Sequence, residues 1–293
     1  MNETYFSGGF MKKLLALALT AGFTLSLFAV DIFKYAPITG NVKNYTETDF
    51  SIATRFGTLY RTPSSKILHV FDSNGKEISS SELTPKDAVI NTIAAKYDTA
   101  GNLVEQICTS ADGETVWKNT STYKNGLKTE TSEYDRKGNL CARTIYTYEN
   151  NLLVDESSYD GDGALIWKTI YKYDDNKRIA SVNEYNPDGS LSEQIAYNYT
   201  ESGAIDSLAK YDAFAGEQTS LIFRYGSNGV LNEITTYDSA KQVIKRTLLK
   251  YDAKGNVNKV SEYDVAEKFG TTVNELVAMS EYAFEYAGSA DAK

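Results

Sequence analysis

The fold is decided by the stretch Leu165-Ile166-Trp167-Lys168-Thr169-Ile170-Tyr171-Lys172-Tyr173-Asp174. Leu165, Trp167, Thr169, Tyr171 and Tyr173 share one side of an extended chain. Ile166, Lys168, Ile170 and Lys172 share the other. Alternation with period two marks a strand with one face more buried. A Tyr-Asp pair closes the stretch, and in other copies a Gly follows three residues on, as in Tyr134-Asp135 with Gly138 and Tyr251-Asp252 with Gly255. Asp suits the first position of a type I turn, where its carboxylate bonds a backbone N–H two residues on. Gly suits the last position, where φ is often positive.

Outward from this stretch the pattern repeats. One series of aromatics falls at Phe71, Tyr97, Tyr123, Tyr148, Tyr173, Tyr199, Tyr225 and Tyr251, in steps of 25 or 26 residues. A second interleaves at Tyr134, Tyr159, Tyr185, Tyr211, Tyr237 and Tyr263. Turn glycines accompany them at Gly101, Gly138, Gly163, Gly189, Gly203, Gly229 and Gly255. Each repeat is therefore a pair of strand arms, one long and one short. Tyr-x-Tyr endings at Tyr146/Tyr148, Tyr171/Tyr173 and Tyr197/Tyr199 place aromatics to stack across neighbouring strands. In the shorter arm Ile179, Val182 and Tyr185 are spaced by three, which requires a bulge or twist if the arm is a strand.

The expected fold is all-β: an antiparallel hairpin repeat of about 25–26 residues, forming an elongated, twisted or curled meander of about sixteen short strands with contacts mostly between neighbours. Residues 67–286 carry the repeat. Residues 30–66 lack its register and read as an N-terminal cap, and 287–293 as a flexible tail. Thr84-Pro85-Lys86-Asp87 has the look of a helix start, yet the register calls for a strand leading to Tyr97. Near the end, a nine-residue insertion around Val265 to Val273 reads as a loop or part of a cap.

Residues 1–29 read as an export signal. Lys12 and Lys13 precede an apolar run from Leu14 to Phe28, and Ala29 stands before the expected cut, with residues 1–10 an upstream extension. The destination is then the periplasm, the cell surface or the medium. Membrane contact enters only if the segment stays uncleaved. Cys108 and Cys141 would meet an oxidising compartment, where a bond between them is possible.

The 293 residues carry 30 basic and 39 acidic side chains, a net charge of -9, which argues against broad electrostatic binding to nucleic acid or anionic lipid. With one His and two Cys, there are few routes to a zinc site or a His-based triad.

Tyr97-Asp98-Thr99-Ala100-Gly101-Asn102-Leu103 and Tyr134-Asp135-Arg136-Lys137-Gly138-Asn139-Leu140 resemble the YD repeat of RHS-type bacterial secreted and surface proteins. Tyr123-Lys124-Asn125-Gly126-Leu127-Lys128 resembles, more weakly, MORN-like hairpin repeats. The resemblance implies an architecture and a surface or secreted setting. It implies no activity.

Chemistry is sparse. Asp160-Gly161-Asp162-Gly163 and Asp174-Asp175 could offer calcium oxygens, but Asx turns explain the same residues and no metal site is expected. His69 lacks an identifiable catalytic partner. Trp117 and Trp167 occupy the same repeat position two copies apart. They are core if they face inward, and the candidate sugar-stacking platforms if they face outward. No nucleotide, hydrolase or protease motif occurs, so neither catalysis nor a cofactor is expected. The preferred function is an exported, non-enzymatic repeat scaffold that binds an envelope polysaccharide or a protein partner. The alternatives are an outer-membrane β-barrel or a glycan-acting enzyme.

Overall fold

The structure, a computed structural model, describes residues 32–288. The export signal read over residues 1–29 lies outside the described residues. The elements begin with a 3-10 turn at Ile32–Lys34. Eighteen strands follow: β1 Val42–Arg55, β2 Thr58–Phe71, β3 Glu77–Leu83, β4 Val89–Tyr97, β5 Leu103–Ser110 and β6 Thr115–Lys124; β7 Leu127–Asp135, β8 Leu140–Glu149, β9 Leu152–Asp160, β10 Leu165–Tyr173, β11 Ile179–Tyr185 and β12 Leu191–Tyr199; β13 Ile205–Asp212, β14 Glu217–Tyr225, β15 Leu231–Tyr237, β16 Val243–Tyr251, β17 Val257–Lys268 and β18 Thr271–Tyr286. Among the described residues no helix is long and apolar enough to cross a membrane, which leaves strands out of account.

The all-β antiparallel expectation holds, and the open meander is corrected. All eighteen strands belong to one sheet, and β1 pairs with β18 as well as with β2. The first and last strands are therefore neighbours, and the sheet closes into an eighteen-strand barrel. The β1–β18 ladder runs from Val42↔Tyr286 to Ser51↔Ala278. Closure removes the two edges that an open sheet would expose to other chains. The reading missed it because periodicity reports neighbours in sequence, and this pairing joins residues more than 200 apart.

Two compact units are distinguished within the chain. One holds residues 95–198 and 208–218, where β5 to β12 form a meander. The other holds residues 32–94, 199–207 and 219–288. There β14 to β18 lead into β1, which continues through β2 and β3 to β4. The segment read as a cap, 30–66, supplies the 3-10 turn, β1 and most of β2.

The turn chemistry follows the sequence. In Asp135-Arg136-Lys137-Gly138 the Asp135 Oδ1 accepts from the N–H groups of Lys137 (2.8 Å) and Asn139 (2.9 Å), and Gly138 takes φ of 82°. Those donors, with the Asn139 side-chain amide foremost, hold the Asp135 carboxyl below the usual range. Asp160, Asp174 and Asp252 accept the same pair of backbone bonds. Thr84-Pro85-Lys86-Asp87 is also a turn, with Asp87 N–H donating to Thr84 C=O at 2.9 Å, and β4 follows it.

The spacing by three in the short arms resolves as β-bulges. The ladder slips between Lys172 and Tyr173 opposite Ile179, between Arg224 and Tyr225 opposite Leu231, and between Lys250 and Tyr251 opposite Val257. The insertion near Val265 is no loop. It extends the β17–β18 hairpin, with pairs from Val265↔Asn274 to Lys268↔Thr271. At the other end of β18, Ala287 N–H donates to Asn41 C=O at 2.9 Å, and residues 289–293 of the expected tail lie outside the described residues.

Candidate functional site

The repeat tyrosines act through their hydroxyls. Tyr123 donates to the Leu103 carbonyl (2.9 Å), Tyr173 to Leu153 (2.7 Å), Tyr225 to Ile205 (2.8 Å) and Tyr251 to Leu231 (2.6 Å). Each bond spans twenty residues and ties the end of a long strand to the start of the strand before it. Leu153 and Leu231 each border a bulge in their own strand, where the ladder is irregular and a carbonyl benefits from a side-chain donor. Burial pushes the Tyr251 phenol up to about 12. The turn glycines Gly101, Gly138, Gly163, Gly189, Gly203, Gly229 and Gly255 all have positive φ, as their place in the turns requires.

In the first unit one sheet face gathers the candidates. Trp117 pairs with Cys108, Asn119 with Glu133, Glu133 with Ala142, Thr144 with Ser158 and Trp167 with Ser158. Trp117 is only 2% exposed, so it is a packed residue and presents no open platform for a sugar, while Trp167 is half-buried. Three buried polar atoms here lack a hydrogen-bond partner: Trp117 Nε1, Asn119 Oδ1 and Glu133 Oε2. Desolvation pushes the Glu133 carboxyl up from 4.5 to about 7. Asn119 could have been placed on this face by its parity with Trp117. Glu133 could not, because its short arm hides the alternation.

Cys108, buried on β5, and Cys141, on β8, are not joined by a disulfide. The opposite face of this unit carries cross-strand ion pairs: Lys118 with Glu105 at 2.6 Å and Lys168 with Asp155 at 2.5 Å.

In the second unit an aromatic face is covered by the segment that holds the 3-10 turn. Phe33, in the 3-10 turn, lies 5.0 Å from Tyr282, 5.5 Å from Tyr45 and 6.5 Å from Phe284 between ring centroids. Tyr35 lies 4.9 Å from Phe223. Asn256, 1% exposed, fastens the following segment by accepting from Thr39 N–H (2.7 Å) and donating to Thr39 C=O (2.9 Å). His69 stacks on Tyr45 with centroids 4.4 Å apart, and its Nδ1 sits 2.7 Å from Glu77. Glu47 accepts from Tyr282, and Asp49 accepts from Ser65 and Ser280. Lys245 and Glu262 form an ion pair at 3.1 Å on this same face. The opposite face bears Arg246 paired with Glu233 and an open groove of about 540 Å³ lined by Lys66, Lys250, Lys259 and Glu281.

Among the described residues no group of three or more His, Cys, Asp or Glu could hold a metal.

No family model matches this chain. No curated protein matches it either. Among solved structures, a porin-like protein from Bacteroides uniformis is 10% identical with a TM-score of 0.47, covering 83% of this chain and 98% of its own. A porin-like protein from Bacteroides vulgatus is 12% identical with a TM-score of 0.39, covering 85% and 100%. A TcdB2-TccC3 protein without its hypervariable C-terminal region is 12% identical with a TM-score of 0.30, covering 73% of this chain and 15% of that one. Similarity at these levels says nothing about activity. The resemblance to YD-repeat surface proteins is corrected: no family model supports it, and the strands close on themselves. The shared Tyr-Asp-x-x-Gly run is what any hairpin with this turn and bulge selects.

Proposed function

We propose that this chain is an exported, non-catalytic β-barrel of the cell envelope, in place of an open repeat scaffold. The observation that carries the reading is the β1–β18 ladder, which makes the sheet a closed body. The glycan ligand is not carried forward, because its support lay in Trp117 and Trp167 as paired platforms, and Trp117 is buried while Trp167 is half-buried.

Closure is also what an outer-membrane barrel requires, along with an apolar band facing lipid. Here both faces of the sheet bear charge. In the first unit one face carries Lys118–Glu105 and Lys168–Asp155; in the second, one face carries Arg246–Glu233 and the other Lys245–Glu262 with the Glu47 and Asp49 carboxylates. A charged side chain at the bilayer centre costs several kcal/mol. The ion pairs therefore favour a barrel bathed in water on the envelope side of the inner membrane.

Cell fractionation tests this. The expected result is a processed protein that comes into solution without detergent, on osmotic shock or on washing the membranes with alkaline carbonate. Recovery from outer membranes by detergent alone, with resistance to alkaline carbonate, would mean a lipid-spanning barrel and overturn the water-side reading.

A further inference from the structure

Among the described residues four two-residue turns take positive φ at both central positions, the pattern of type I′ hairpins. Two use the residues that tolerate it: Asn125-Gly126 (φ 55° and 77°) and Asn150-Asn151 (φ 50° and 63°). The other two are Phe56-Gly57 (φ 51° and 76°) and Phe269-Gly270 (φ 52° and 74°). A bulky residue in the left-handed region is an outlier, because its Cβ crowds the backbone. Here the outlier occurs twice, within near-identical tetrapeptides, Arg55-Phe56-Gly57-Thr58 and Lys268-Phe269-Gly270-Thr271. Neither ring is packed: Phe56 and Phe269 are both 106% exposed. Turn propensity and core packing both disfavour these phenylalanines, so a role outside the fold accounts for them.

The two tips also belong together. β1 and β18 are paired, so the β1–β2 and β17–β18 hairpins are neighbours in the same unit. Both outrun the flanking strands. The β2–β3 ladder stops at Lys66 and the β16–β17 ladder at Asp264. The prongs thus extend about 25 Å and about 13 Å beyond those partners, at the usual rise per strand residue. A cation precedes each phenylalanine, on a chain whose net charge is -9. Arg55 is exposed, while Lys268 is shared with Glu275. Leu59 and Tyr60, half-exposed, continue the apolar surface down the first prong.

We propose that these hairpins form a two-pronged anchor that inserts Phe56 and Phe269 into the interfacial layer of an anionic bilayer. The tips are convex and aromatic with a basic residue behind each, which suits a soft headgroup layer that accepts protruding rings anywhere. This goes beyond the barrel reading and needs no assumption about where the cell places the chain. Two weak insertions on one rigid body reinforce each other through effective concentration.

The test is flotation of the purified chain with vesicles of phosphatidylcholine and phosphatidylglycerol, against phosphatidylcholine alone. Phe56→Asn, Phe269→Asn and the double variant keep the turns, because Asn already serves at the other two. Wild type is expected to float with the anionic vesicles and less with the neutral ones. Each single variant should lose about tenfold in partitioning, and the double variant should fall to background. Phe56→Trp should retain binding and shift its added fluorescence to the blue on insertion. Wild type that stays with the soluble fraction, or a double variant that floats as well, overturns the proposal. Phe-dependent crosslinking to one envelope protein without flotation would assign the prongs to a protein partner and overturn it too.

Discussion

Tyr251 donates its phenol hydrogen to the carbonyl of Leu231 at 2.6 Å, and the same bond joins Tyr225 to Ile205, twenty residues apart in both cases. The repeat length is thus reflected in a specific contact. A tyrosine closing one strand satisfies a carbonyl that opens the strand before it. Tyr251→Phe keeps the ring and removes the bond. It should cost about 0.5–1.5 kcal/mol, the usual net value of a buried hydrogen bond, read as a lower urea midpoint at unchanged slope. Equal stability of the variant would mean water replaces the hydroxyl.

Glu133 makes stability pH-dependent. Its folded pKa, about 7, lies above the ordinary 4.5, so the native state holds a proton that the unfolded chain releases. Stability should fall as pH rises from about 4.5 through 7 and level off above that. Glu133→Gln should remove this slope and be the more stable protein at pH 8. Parallel melts of both proteins across this range check the sign, and a slope that survives in the variant would place it elsewhere.

Phe33 anchors the 3-10 turn on the second unit's aromatic face, touching Tyr45, Tyr282 and Phe284. Phe33→Ala should cost about 1.5–3 kcal/mol, the range for one large apolar side chain, less than a fully buried aromatic would lose. Hydrogen exchange should then rise first in β1 and β18, and uniform exchange across the strands would argue against a local clasp.

The tips carry a stability prediction of their own. Phe56→Asn and Phe269→Asn each relieve a left-handed phenylalanine, so each should raise stability by up to about 1 kcal/mol. A differential scanning melt of the double variant is the direct measurement. A drop in melting temperature would show that the rings pack in solution.

The strands, their turns and their bulges were legible in the sequence because each is local. Parity placed Trp117, Trp167 and the Tyr-x-Tyr endings on one face, and Tyr-Asp-x-x-Gly marked the turns. Closure was not legible. Val42 and Tyr286 are brought together by two ends that carry no register in common with each other. The insertion near Val265 was misread for a related reason: Phe269-Gly270 is a poor turn signal, so a hairpin tip looked like irregular chain. Glu133 was missed because a bulge breaks the alternation that would have shown it facing Asn119. The tyrosine hydroxyl bonds were equally hidden, since periodicity gives a ring its side of the sheet and says nothing about which carbonyl its oxygen reaches.

The seam between β1 and β18 also sets an order of assembly. The strand made first cannot satisfy its outer backbone until the strand made last has emerged, so every nascent intermediate carries a sticky rim. A ribosome that stops short of residue 271 releases a chain that cannot hide it. Such fragments should be substrates for chaperones and proteases from the moment they appear.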